Sequence, residues 1–406
     1  MKIEKLLKNR KREQVRKHGK CWLSAVLSLL VLIIGYLFGN VPVPLPDEVE
    51  VLQDWDRVKT LFRWKGDSVP DEVLLVNVAY DKQLVDFSKE GIPVGQVPIT
   101  DRWKLFHFLQ QAKEANNYRY ILLDVFFEQG YESEIDSALF NLIAHMERIT
   151  IPKHKDALLQ DSILYTQAAY ADYLSPWKDT DFVRYQFLYN GQPTIPLRMY
   201  DALNKGNIKQ WGWLYWSDGW LCQNGVTLKM PIQLSRDYEE VEDKRKYYAL
   251  YLGADLLDSL TSVSEDIDGK IVVVGDFEND VHDTYLGSQP GSLICLNAYY
   301  ALVRGDHILR GQGYAIAVFW LLIGILYFLL SYAYLNGFTL TSLTDNPWLK
   351  ILLSLLGTNF IFWVVAVVAY VSPLNFVYHI WFPIGFFSFQ DFVTNIFSTY
   401  KSAVQK

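Results

Sequence analysis

Val73-Leu-Leu-Val-Asn-Val-Ala79 and Tyr120-Ile-Leu-Leu-Asp-Val-Phe126 are continuous apolar runs of strand length. Between them, Thr100 to Asn117 carries Trp103, Phe106, Phe108, Leu109 and Ala112 at near-helical spacing. Strand, helix and strand joined by short links make a βαβ unit, which sets the two strands parallel. Strands that are apolar at every position, rather than at alternate ones, need cover on both faces. The expected fold class is therefore α/β, with a largely parallel or mixed sheet flanked by helices. Thr100 is the expected N-cap of the first helix.

The pattern continues on either side. Ser133–Met146 reads as a second helix and Arg148–Pro152 as a third strand. Trp211–Trp216 and Trp220–Cys222, joined through Ser217-Asp218-Gly219, predict an antiparallel hairpin insertion, and Asn224-Gly225 a second hairpin turn. Tyr247–Leu260 reads as helix, Lys270-Ile-Val-Val-Val-Gly275 as the strongest strand, and Gly291–Leu302 as helix. In such sheets ligands favour the crevice beyond the carboxyl ends of the strands.

The ends of the chain have a different composition. Residues 1–20 hold nine Lys and Arg against Glu4 and Glu13, a local charge of +7 in a 406-residue chain whose net charge is −7. Trp22 to Gly39 is wholly uncharged, and eighteen helical residues span about 27 Å, close to the bilayer core. Gly311 to Thr344 and Ile351 to Gln390 are also free of fixed charge, the second broken at Ser372-Pro373-Leu374-Asn375. Four membrane helices are expected, over 21–40, 313–335, 349–371 and 374–396. The basic tail 1–20 places the N-terminus in the cytoplasm, and four crossings return the tail 397–406 to the same side. A linker over 41–70 and a folded body over 71–312 are then extracytoplasmic, in a multi-pass protein of the inner membrane. The acidity of that body argues against nucleic acid as a partner.

Three blocks in fixed order carry a family likeness: Val76-Asn77-Val78-Ala79-Tyr80-Asp81; Arg102 through Glu128 with its ILLDVFFEQ; and Gly269–Gly275 followed by His282-Asp283-Thr284 and by Pro290-Gly291 through Asn297-Ala298. Together they resemble the CHASE domain of type 2, an extracellular sensor domain of bacterial signalling proteins. The likeness covers about 45–305. The resemblance also implies one crossing before the domain and three after it. Family members usually continue into a cytoplasmic output domain, whereas about ten residues follow the last expected crossing here. A separate cytoplasmic or membrane partner is therefore expected to read the signal.

Candidate ligand-binding residues are Asp81, Asp124, Asp276, His282 and Asp283, which sit in or just beyond strand ends. Converging carboxylates suit a cationic group or a hard metal ion. Asp276, Asp280, His282 and Asp283 form the densest set, a weak metal candidate whose spacing matches no metal motif. The commoner use of such residues is as caps and turn formers in a solvated loop. The aromatic set around Trp211 to Trp220 is expected to pack on its own sheet, with a sugar or the lipid interface as alternatives. Cys222 and Cys295 are either a disulfide or two buried thiols.

There is no G-x-S-x-G, H-E-x-x-H or G-x-x-x-x-G-K-[ST], so no enzyme and no cofactor is expected. The leading expectation is a membrane-anchored extracytoplasmic sensor that binds an unknown ligand or protein, with a homo-oligomer as one arrangement. An envelope scaffold that uses the same domain for protein binding, and an exported metal-dependent hydrolase, are the alternatives.

Overall fold

The computed structural model describes residues 71–89, 92–172, 183–235, 246–253 and 263–308, with a few isolated positions elsewhere. The chain divides into two compact units, one formed by 60–307 with 42–44 and the other by 1–41, 45–59 and 308–406. The four expected membrane helices and both tails lie outside the described residues, except that Ile33, Tyr36 and Leu37 are helical and Asn40 is a turn. Among the described residues no helix is long and apolar enough to cross a membrane. Within the expected linker, Val49, Leu52, Gln53, Asp56 and Arg57 are helical.

The body of 60–307 is built on six strands: β1 (Val73–Asn77), β2 (Tyr120–Asp124), β3 (Ile149–Lys153), β4 (Ala168–Tyr170), β5 (Ala249–Tyr251) and β6 (Ile271–Gly275). They lie in the order β5-β1-β6-β2-β3-β4, and every pairing is parallel. The mixed α/β class read from the sequence is thus present, with a parallel sheet at its centre. β6 comes last in the chain yet lies between β1 and β2, where all five of its residues are buried.

Helices cover both faces, as apolar strands require. α1 (Arg102–Ala115) and α2 (Asp136–Ala144) pack on the face that presents Val76, Ile121, Leu123, Val272 and Val274. α1 buries Arg102, Leu105, Phe108, Leu109 and Ala112, a stripe at helical period. α3 (Ile195–Asn204) and α4 (Gly291–Arg304) pack against each other and on the opposite face.

Three local expectations are corrected. The N-cap of α1 is Asp101 rather than Thr100, because the Asp101 Oδ1 accepts from Lys104 N at 3.0 Å. Asn224-Gly225 is not a hairpin turn. Asn224 is buried and uses its amide as a strand would, accepting from Leu188 N at 2.7 Å and donating to Leu188 O at 2.9 Å. The described start of the helix expected over 247–260 is strand: Lys246–Tyr247 pairs with Gln233–Leu234, and Ala249–Tyr251 is β5. An unpaired edge of β1 offers that short apolar run more hydrogen bonds than an isolated helical turn can.

The Trp211–Cys222 region does form antiparallel strands, Lys209–Trp211, Leu214–Ser217 and Trp220–Cys222. Asp218 and Gly219 both have positive φ in the two-residue turn between the last two. That is the mirror-image turn that matches strand twist, and Asp-Gly favours it. Residues 82–89 and 92–100 form a further antiparallel pair that leads into α1.

Candidate functional site

Strand ends converge because the sheet is parallel and every carboxyl end falls on one edge. Beyond that edge lies a cavity of about 490 Å³. Val78 follows β1, Asp276 follows β6, Asp124 ends β2, His154 follows β3 and Asp172 lies two residues past β4; all five line it. Lys82 and Thr100 enter from the antiparallel pair, and Tyr185 from a neighbouring strand. Asp280 and His282 come from the segment after β6, and Gly291, Ile294 and Cys295 from the first turns of α4. Apolar walls are supplied by Val125, Phe126, Pro152 and Ile294.

Close packing fixes the floor. Asp124 and Gly275 are register partners on β2 and β6. A Cβ on Gly275 would stand 2.0 Å from Ser292 Oγ, so only glycine lets the start of α4 approach this near. From there the Ser292 hydroxyl donates to Asp124 Oδ2 at 2.8 Å. Asn77 ties two strand ends together, its Oδ1 accepting from Ala79 N at 3.0 Å and Phe277 N at 3.3 Å.

The charged groups are unequally satisfied. Asp276 Oδ2 accepts from Lys82 Nζ at 2.8 Å, and Asp276 Oδ1 accepts from Asn279 N at 2.9 Å. Burial pushes this carboxyl up, but the bonds from Lys82 and Asn279 outweigh it and hold it below the ordinary carboxylate range. Arg102, which also lines the cavity, is committed to Asp136. His154 Nδ1 lies 3.4 Å from Asp172 Oδ1. His282 Nε2 lies 3.3 Å from Asp280 Oδ1, and that bond, opposed by burial, raises the imidazole above its usual value. Asp124 is enclosed by protein and faces Asp280, and burial first, then that like charge, pushes it up to about 6. The hydrogen bond from Ser292 opposes the shift, as do His154 and His282 more weakly. Four carboxylates thus share a cavity with two fixed cations, each of which already has a carboxylate partner. The surplus acidity sits at Asp124 and Asp280.

Asp124 links protonation to stability. Its pKa in the folded chain lies above the ordinary 3.8, so the fold holds the neutral acid more tightly than the unfolded chain does. That benefit is complete below about pH 4 and is lost as pH rises through about 6. Asp124→Asn should therefore stabilise the detergent-solubilised chain at pH 8 by about 1–3 kcal/mol, seen as a higher thermal midpoint, and leave the midpoint unchanged near pH 4. Equal midpoints for the variant and the wild type at both pH values would remove this assignment.

Of the sequence candidates, Asp124, Asp276, Asp280 and His282 meet at the cavity. Asp81 and Asp283 do not line it. Asp81 is buried, its Oδ1 accepting from Lys104 Nζ at 2.6 Å and its Oδ2 from Gly253 N at 3.0 Å, which ties α1 to the chain just past β5. Asp283 is exposed and accepts from Ser288 Oγ at 2.6 Å. Neighbours in a strand point to opposite faces, so His282 and Asp283 cannot serve one site. Among the described residues no group of three or more His, Cys, Asp or Glu is placed to hold a metal ion. Cys222 and Cys295 are separate buried thiols. Burial pushes Cys222 up to about 12 and Cys295 higher still. Lys82, His154, Asp172 and Tyr185 are cavity residues that sequence reasoning missed. Of these, only His154 carried a usable signal, since it directly follows an expected strand.

No family model, curated protein or solved structure matches this chain.

Proposed function

We propose that residues 60–307 are the ligand-binding domain of a membrane-anchored sensory protein of the kind the CHASE-like blocks suggest. The domain faces outward from the inner membrane and passes its signal to a separate partner. The observation that carries this reading is the 490 Å³ cavity at the carboxyl edge of the parallel sheet. Its size lies within the range of small-molecule sites, and so does its character, apolar walls with a few convergent polar groups. A ligand with a protonated amine and a compact apolar body fits it best: the amine pairs with Asp124 and Asp280, and the body lies against Phe126 and Ile294. Signalling requires only that such a ligand bind one arrangement of the domain more tightly than another.

The test is thermal stabilisation of the full-length chain in detergent by phenethylamine, with phenylpropionate as the charge-reversed control. The amine should raise the unfolding midpoint of the wild type and lose most of that effect in Asp280→Asn. Stabilisation by the carboxylate instead, or an equal response in the variant, would overturn the reading.

A further inference from the structure

The tryptophans of the antiparallel insertion leave much of their surface uncovered. Trp211 is 76% exposed, Trp213 54% and Trp216 36%. Strand register sorts the side chains. Cys222 pairs with Tyr215 and is buried, which marks the inward face. Lys209 pairs with Trp216, Trp216 with Leu221, and Trp211 with Leu214, so these five share the outward face. An outward strand face made of tryptophan and leucine with one lysine is unlike an ordinary solvated strand.

The same end of this small sheet is joined to the place where the chain leaves the domain. Gln223, directly after Cys222 and at the end where Trp211 and Leu214 pair, donates its backbone N–H to His307 O at 2.8 Å. Four residues beyond His307, at Gly311, begins the uncharged stretch that runs to Thr344. Four residues of extended chain reach at most about 14 Å. Tryptophan is the side chain most at home where hydrocarbon meets headgroups, since its ring is apolar and its N–H seeks a polar partner. Lysine can lay its stem along the apolar layer and keep its ammonium among phosphates.

We propose that the outward face of residues 209–221 rests in the headgroup layer of the bilayer into which the chain runs after residue 311. This rests on the membrane-anchored reading above. The partner is lipid, with the indoles at the headgroup level and Lys209 among the phosphates.

The test uses the full-length chain reconstituted in vesicles of phosphatidylcholine and phosphatidylglycerol, with ordinary or bromine-bearing acyl chains. Flotation with the vesicles tests anchoring. Tryptophan emission is then compared between wild type and Trp211→Tyr/Trp213→Tyr/Trp216→Tyr, with Trp211→Tyr alone as the milder variant. The emission lost on substitution is the signal of the hairpin. It should fall when the lipid is brominated, as for an interfacial indole. A chain that does not float removes the anchoring and this proposal together. A chain that floats but whose hairpin emission is indifferent to bromine, or is altered by soluble oligosaccharide instead, overturns this proposal alone.

Discussion

Arg102→Ala is expected to destabilise the domain by about 3–5 kcal/mol, the largest effect of any single change outside the apolar core. Arg102 opens α1 at 3% exposure and pairs with Asp136, which opens α2 at 6% exposure. Gln160 completes the arrangement, accepting from Arg102 at 2.9 Å and donating to Asp136 at 2.7 Å. The guanidinium also lies 5.5 Å from the centre of the Phe127 ring and 5.8 Å from that of Phe140. Removing it would strand a buried carboxylate whose Oδ1 already has no hydrogen-bond partner among the described residues. In a domain of this size the loss should lower the thermal midpoint by on the order of 10 °C. The double change Arg102→Met/Asp136→Leu should recover most of that loss, since it leaves no unpaired charge behind. A drop of only a degree or two in the single variant would mean that water reaches the pair and that it is not a buried clamp.

Gly275→Ala is expected to damage both the fold and the cavity. The new carbon would meet Ser292 Oγ at 2.0 Å and Ser292 Cβ at 3.1 Å. Both atoms belong to Ser292 in the first turn of α4, so relief requires its hydroxyl to rotate away and its Cβ to give by a few tenths of an ångström, and overpacking of this kind costs about 1–3 kcal/mol. The Ser292 hydroxyl would also leave Asp124, which loses its donor and becomes still harder to ionise. Gly275→Ala should therefore weaken amine binding as well as stability. Adding Ser292→Gly restores the space, so the thermal midpoint should recover while the hydrogen bond stays lost. If the double variant is no more stable than Gly275→Ala alone, the clash is not what the methyl introduces.

The elements legible in the sequence are those with a single physical reading. β1, β2 and β6 are apolar at nearly every position because both of their faces are buried, and no solvated segment mimics that. The Asp218-Gly219 turn was legible because two successive positive φ values leave few residue choices. The pairing of 82–89 with 92–100 was hidden by Pro93 and Pro98, which argue against a strand in a larger sheet. In a two-stranded ribbon each strand has a free side, and proline can sit where no N–H is needed. β4 was missed because three residues carry no period, and Asp172, just beyond it, was missed for the same reason.

The candidate site was half legible. Asp124, Asp276, Asp280 and His282 follow from one rule, that functional groups gather past the carboxyl ends of parallel strands. Asp81 obeys the same rule in sequence yet spends both oxygens on Lys104 and Gly253, a commitment that only three-dimensional packing reveals. Asp283 is separated from His282 by the alternation of a strand that was expected to be a loop. The exposure of Trp211 and its neighbours was invisible for a related reason, since an aromatic alternation shows that one face differs from the other but not which of them meets the protein.

The position of β6 governs how the chain can mature. In the native order residues 73–77 and 120–124 meet only through 271–275, so the sheet cannot close until that strand has been synthesised and inserted between them. Contacts so distant along the chain fold slowly, because a long loop must close before any hydrogen bond compensates its lost entropy. Until then two half-sheets wait with raw edges, which other chains can capture. A fragment ending before residue 271 would therefore be an adhesive species rather than a smaller domain.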